Sequence, residues 1–169
     1  MKVGMYTLDA DDLEMFRDSL PEYMIDRAYE RGFFTIGAVD ESEEESGDDA
    51  LIGVAQFYIN ITPQGECFAE LIYVYVKEDA RRDGIGTKLI ERVNRILKKS
   101  GIKVCTLLLD VADDDAGYGI PVEEIEEFLQ MCSFRKTKED INTWATVLDD
   151  VYASLSEEEM LRYVRLAGR

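Results

Sequence analysis

Seven consecutive residues, Arg81-Arg82-Asp83-Gly84-Ile85-Gly86-Thr87, carry the strongest chemical signal in this chain. A strand-like run precedes them, Glu70 to Val76 (E-L-I-Y-V-Y-V), and a helix-like run follows, Lys88 to Ser100. The first turn of a helix has backbone N–H groups with no partner inside the helix. With the helix dipole they attract anions, phosphates above all. Gly84 and Gly86 remove the Cβ atoms that would hold a phosphate at a distance. Arg81, Arg82 and Lys88 add positive charge beside them. The stretch therefore reads as a pyrophosphate seat. Neither of two common phosphate motifs fits it. A dinucleotide fingerprint needs a third Gly where Leu89 stands, and a P-loop needs Gly-Lys-Ser/Thr where the order here is Gly86-Thr87-Lys88-Leu89.

One charge interrupts the apolar strand ahead of the turn. Alternation places Glu70, Ile72, Val74 and Val76 on one face and Leu71, Tyr73 and Tyr75 on the other. Both faces are mostly apolar, as in a central strand covered on both sides. A carboxylate inside such a strand is costly unless it is solvated, paired or useful.

The elements that must position these groups follow from pattern. Lys2 to Thr7 reads as a first strand, and Asp9 as an N-cap with Asp12 as capping-box partner. Leu13, Phe16 and Leu20 fall at helical spacing. A second helix is expected to start at Ser19, with Glu22 in the capping-box position and Gly32 closing it. Phe33 to Val39, Ala50 to Ile61 and Glu66 to Val76 read as strands, the last two joined by the turn Thr62-Pro63-Gln64-Gly65. Ile85, Leu89, Val93, Ile96 and Leu97 form one stripe of the helix after the turn, which Gly101 stops. Ile102 to Val111 returns as a strand, so strand, helix and strand form a parallel crossover. Pro121 opens a further helix, and Phe134 to Lys138 and Asn142 to Leu148 close the domain as paired strands. Ser156-Glu157-Glu158-Glu159 is a capping box that starts a last helix, which packs on the domain or contributes to a homodimer. The organisation expected is one domain over residues 1–148 and a helical extension over 149–169.

Composition narrows the function. The chain has 169 residues and a net charge of −17, from 19 basic and 36 acidic groups. Nucleic-acid binding through a basic face is disfavoured. Residues 40–49 hold seven acidic groups and no apolar one, which reads as a self-repelling hairpin loop, either simply solvated or attracting a cationic substrate. No histidine occurs anywhere, which removes Ser-His-Asp triads, His metal sites and a His base. Cys67, Cys105 and Cys132 stand far apart with no C-x-x-C, the usage of reduced thiols in a cytoplasmic protein. Asp9, Asp11, Asp12 and Glu14 are unlike a signal peptide, and no apolar run approaches the roughly 20 residues of a membrane helix.

The pattern R-x-x-G-x-G between a strand and an amphipathic helix resembles the acyl-CoA-binding signature of the GNAT superfamily of N-acetyltransferases. The resemblance covers roughly residues 1–148 and suits a bacterial-type single-domain member. It implies a mixed α/β fold with a mostly antiparallel central sheet, one parallel crossover and helices on both faces. It implies acetyl-CoA as acyl donor, no metal, and a small-molecule or peptide amine as acceptor. By resemblance the backbone of Val74, Tyr75 and Val76 would bind the pantetheine arm, with an amide near Tyr75 facing the oxyanion. The pyrophosphate would rest on Arg81, Arg82, Asp83, Gly84, Ile85, Gly86 and Thr87. Glu70 matches the catalytic glutamate of the histone acetyltransferase branch and is either the base that deprotonates the amine or a positioning carboxylate. An amine of pKa about 10.4 must lose its proton before attack. The family's F-Y-x-x-x-G-F pattern departs here. Leu129 stands in place of the Tyr that serves as general acid, Ser133 in place of Gly, and Val122 in place of an Asn that contacts the cofactor. Tyr118 is then the nearest substitute acid, or an ordinary loop aromatic. The departure keeps a second reading open: a GNAT-fold module that binds acyl-CoA or a protein partner and transfers nothing.

Overall fold

The computed structural model describes residues 1–42, 50–108, 122–137, 143–148 and 158. In chain order the elements are β1 (Val3–Leu8), α1 (Ala10–Met15), α2 (Glu22–Ala28), β2 (Phe33–Asp40), β3 (Leu51–Ile61), β4 (Cys67–Val76), α3 (Ile85–Lys99), β5 (Val104–Leu108), α4 (Val122–Met131), β6 (Arg135–Lys136) and β7 (Thr143–Val147). The strands hydrogen-bond in the order β1-β2-β3-β4-β5-β7-β6. β4 and β5 pair in parallel, whereas β1/β2, β2/β3, β5/β7 and β6/β7 pair antiparallel. This is the mixed sheet with one crossover that the sequence predicts, and β4 is its middle strand.

The chain divides into two compact units, 1–59 with 72–93, and the described residues of 60–71 with 94–169. In the first, the capping box at α1 forms as expected: Asp12 N–H donates to Asp9 Oδ1 at 2.8 Å and Asp9 N–H to Asp12 Oδ2 at 2.9 Å. The start of α2 differs from the sequence expectation. Ser19 lies in a 3₁₀ turn, Arg17–Ser19, and Pro21 takes the N-cap without a side-chain bond. Proline pushes the residue before it out of the helical region, and Leu20 is accordingly extended at φ −121°, ψ 147°. The helix ends at Ala28, short of Gly32. Gly32, at φ +95°, instead turns the chain into β2 and accepts the Ile59 N–H at 2.9 Å.

Met24 and Ile25 bury the inner face of α2 completely. A buried side chain from β3 ties that helix down, because Gln56 Nε2 donates to the Met24 carbonyl at 2.9 Å and to Thr35 Oγ1 at 3.3 Å. On α3, Ile85, Leu89, Ile90 and Val93 are each at most 2% exposed. Full burial of such a side chain stabilises by about 1.5–3 kcal/mol. Gly53 on β3 allows the close approach. A Cβ there would lie 3.2 Å from Leu89 Cδ1 and from the Tyr75 carbonyl oxygen, and 3.3 Å from Ile85 Cγ2. The glycine sits under the first turns of α3 and so helps fix where that helix begins.

In the second unit, α3 ends in a Schellman motif. Gly101 is left-handed at φ +77°, Gly101 N–H donates to Lys98 O at 3.1 Å, and Ile102 N–H to Leu97 O at 3.0 Å. The same closure ends α4, with Ser133 at φ +67°, Ser133 N–H on Gln130 O at 3.0 Å and Phe134 N–H on Leu129 O at 2.9 Å. Trp144, Phe134, Leu129, Val104 and Cys105 are buried. The strands expected at 134–138 and 142–148 shorten to β6 and β7. β5, expected to run to Val111, is described only as far as Leu108.

Candidate functional site

β4 ends at Val76, and a 3₁₀ turn, Glu78–Ala80, leads from it into the glycine segment. Arg81 is half-buried and held to the strand it has just left. Its Nε donates to the Val76 carbonyl at 2.8 Å, and its guanidinium lies 5.7 Å from the centre of the Tyr75 ring. Part of its hydrogen-bonding capacity is thus spent on bracing the loop. Arg82 and Gly84 are both left-handed, at φ +69° and φ +75°. Only glycine adopts that conformation without a Cβ penalty. A Cβ built on Gly84 would meet nothing within 4 Å, so the glycine is required by its backbone angles and the space above it is open. Asp83 is exposed there as well.

α3 begins directly after this turn, and Lys88 N–H closes the first helical bond on Gly84 O at 3.0 Å. The N–H groups of Ile85, Gly86 and Thr87 therefore have no partner within the helix. The Ile85 side chain is 2% exposed and belongs to the core, which leaves its backbone as the part facing the turn. Gly86 and Thr87 are half-buried and Lys88 exposed. An anion at this place would meet backbone donors, the positive end of a 15-residue helix and the Lys88 cation.

The strand ahead of the turn has a second feature. The parallel register of β4 with β5 runs Ala69↔Cys105, Glu70↔Thr106 and Leu71↔Leu107. Among the described residues it stops there, while β4 continues through Ile72, Tyr73, Val74, Tyr75 and Val76, all half-buried. Leu108, the next residue of β5, is 58% exposed. β4 also carries an extra residue. Thr62 N–H donates to Glu66 O at 2.8 Å and Lys77 N–H to Ile52 O at 2.9 Å, so ten steps along β3 (62 to 52) match eleven along β4 (66 to 77). Such a bulge re-aims backbone groups and is common beside active sites.

Glu70 lies half-buried on β4, opposite Thr106. Burial pushes the Cys105 thiol up to about 12, and the nearby Glu70 charge adds to the push. Cys105 is thus an inert core thiol. Leu129 is 3% exposed, an apolar core residue where the resemblance would place a catalytic tyrosine. Tyr118, the substitute, lies outside the described residues, as do 43–49 of the acidic loop. No group of three or more potential metal ligands occurs among the described residues, and no helix there is long and apolar enough to cross a membrane.

Sequence reasoning missed a row of rings beside β4. Tyr23 on α2 meets Tyr73 edge-on at 6.1 Å, and Tyr73 stacks with Tyr75 at 6.4 Å. Arg27 on α2 lies 5.1 Å from the Tyr23 ring centre and 5.9 Å from that of Phe33. The available signals were the alternation that puts Tyr73 and Tyr75 on one face of β4 and the four-residue spacing of Tyr23 and Arg27, which puts them on the same helix face.

A seven-stranded mixed sheet with one parallel pair, followed by a glycine turn at a helix N-terminus, is the arrangement of the acyl-CoA N-acyltransferase class of fold. The chain belongs to the Acetyltransferase (GNAT) family, whose family model matches residues 3–117. Solved structures agree in fold. Arabidopsis thaliana NAA60 in complex with acetyl-CoA is 17% identical, with a TM-score of 0.60 over 86% of this chain and 97% of that one. The PaiA N-acetyltransferase of Thermoplasma acidophilum in complex with coenzyme A is 18% identical, with a TM-score of 0.55 over 87% and 99%. An aminoglycoside acetyltransferase from an uncultured soil metagenomic sample, in complex with sisomicin, is 17% identical, with a TM-score of 0.55 over 77% and 86%. No curated protein matches in sequence.

Proposed function

We propose that this protein is an N-acetyltransferase that moves the acetyl group of acetyl-CoA to a primary amine by direct attack in a ternary complex. The observation that carries the reading is the left-handed Gly84 opening α3, with clear space where its Cβ would lie. Residues 81–87 fit a pyrophosphate through backbone N–H groups, with Lys88 as a nearby charge. The end of β4, Val74–Val76, fits an amide-bearing arm, since a bulged strand re-aims backbone N–H and C=O groups. When bound there, acetyl-CoA supplies an activated thioester.

The rest of the work falls to this chain. Glu70, the one carboxylate within the β4 sequence, takes the amine proton directly or through water. An amide near Tyr75, at the end of β4, faces the developing oxyanion. With Leu129 buried, the leaving thiolate receives its proton from Tyr118 or from water, and a thiol of ordinary pKa about 8.5 departs without strong assistance. The alternative, a module that binds acyl-CoA but transfers nothing, draws on that same Leu129.

Thiol release with saturating acetyl-CoA and an amine panel separates the two. The wild type is expected to turn over at least one amine, and Glu70→Gln to lower kcat about 100-fold or more while leaving acetyl-CoA affinity intact. A Glu70→Gln enzyme with unchanged kcat and pH profile would remove Glu70 from the mechanism. Acetyl-CoA binding without turnover of any amine would favour the inactive module.

A further inference from the structure

In a chain whose acidic groups outnumber the basic ones 36 to 19, a half-buried arginine is expected to find a carboxylate. Among the described residues no carboxylate lies within 4.0 Å of the Arg27 guanidinium, although Asp26 and Glu30 are close in sequence. Two aromatic faces hold it instead, Tyr23 and Phe33. Rings fix a guanidinium in place without consuming its five N–H donors. Arg81, at the far end of the same row of rings, differs in that its Nε is bound to a carbonyl. Arg27 is therefore a positioned cation with unspent donors, two ring-to-ring steps from Tyr75 through Tyr23 and Tyr73.

We infer that Arg27 recognises a carboxylate on the acceptor, and that the amine acetylated belongs to a molecule that also carries that carboxylate. The inference rests on the acetyltransferase reading above and names its substrate class. A guanidinium fork matches a carboxylate in two parallel hydrogen bonds. One carboxylate balances one arginine. A phosphate, with a charge of about −1.5 to −2, is less well matched by Arg27 alone in so acidic a chain. The tyrosines beside Arg27 suit the apolar part of such a molecule. This substrate differs from the cationic acceptor that net charge alone would suggest. An amino acid and the acidic N-terminal residue of a peptide share the required chemistry.

The test measures thiol release in two arms. In the first, free amino acids are each paired with their α-carboxamides. In the second, C-amidated tripeptides beginning with Asp or Glu are paired with those beginning with Asn or Gln. In one arm the carboxylate form is expected to show kcat/KM larger by about tenfold or more, carried mainly in KM. Arg27→Gln should bring the two forms within about twofold, Arg27→Lys should keep part of the preference, and calorimetry should find acetyl-CoA affinity unchanged in both variants. Neutral forms turned over equally well or better in both arms would overturn the inference, as would a preference that survives Arg27→Gln or an absence of turnover with every carboxylate-bearing acceptor. Failure of the wild type to bind acetyl-CoA is a different result, which removes the acetyltransferase reading itself and this inference with it.

Discussion

At the scale of single residues, Cys105 shows most clearly what burial does. Its thiol is fully enclosed and its pKa rises from 9.0 to about 12, first because burial penalises the thiolate and then because Glu70 is near. The sign of the consequence follows from linkage. Below pH 9 both folded and unfolded chains hold the proton, and stability is unaffected. Between pH 9 and pH 12 only the unfolded chain releases it, so stability falls as pH rises. Denaturant unfolding at pH 8 and pH 10.5 should show wild type losing about 2 kcal/mol more than Cys105→Ala over that interval. Equal losses would mean that the thiol titrates in the folded protein. Backbone geometry, by contrast, decides what sequence could reveal of the candidate site. Gly84 was legible because its φ of +75° demands a glycine. Arg82 at φ +69° was not, since nothing in an arginine announces a left-handed backbone. Arg27 was hidden because its role depends on rings contributed by α2 and β2, which only the fold assembles.

At the scale of elements, the ends of helices separate what sequence states from what it leaves open. The end of α3 was readable from Gly101, which closes it with both Schellman bonds. α4 ends in the same motif with Ser133 at the left-handed position, where the family pattern has glycine. A left-handed non-glycine residue costs about 1–2 kcal/mol, and glycine recovers that while adding some freedom to the unfolded chain. Ser133→Gly should therefore stabilise the protein by about 0.5–1 kcal/mol in urea unfolding without altering catalysis. A neutral or destabilising result would show that the serine side chain compensates the strain. The start of α2 was misread for the converse reason. Ser19 and Glu22 match a capping box in letters, but Pro21 forces Leu20 to be extended and moves the start to Glu22. Local side-chain preference lost to a backbone constraint two residues away.

Across the whole molecule, part of the strand pairing was legible: the parallel pairing of β4 with β5 across α3 and the pairing of the two closing strands, β6 and β7. The bulge in β4 was not, since its apolar run through Val76 carries no mark of an extra residue. Gly86 tests the glycine turn that follows β4 in sequence, on which the proposed acyl-donor seat depends. It lies in the first turn of α3, where a glutamate is favourable for the helix itself because of the dipole. Gly86→Glu is therefore expected to keep α3 formed while placing a negative charge and a side chain in the proposed anion seat. Titration of the wild type and this variant with acetyl-CoA by calorimetry is the most direct measurement. The account predicts saturable one-site binding by the wild type, with dissociation constant on the order of micromolar as for typical substrates, and its loss in Gly86→Glu at unchanged thermal stability. Absence of binding in the wild type, or equal binding in the variant, would contradict the assignment of residues 81–87 as the acyl-donor seat.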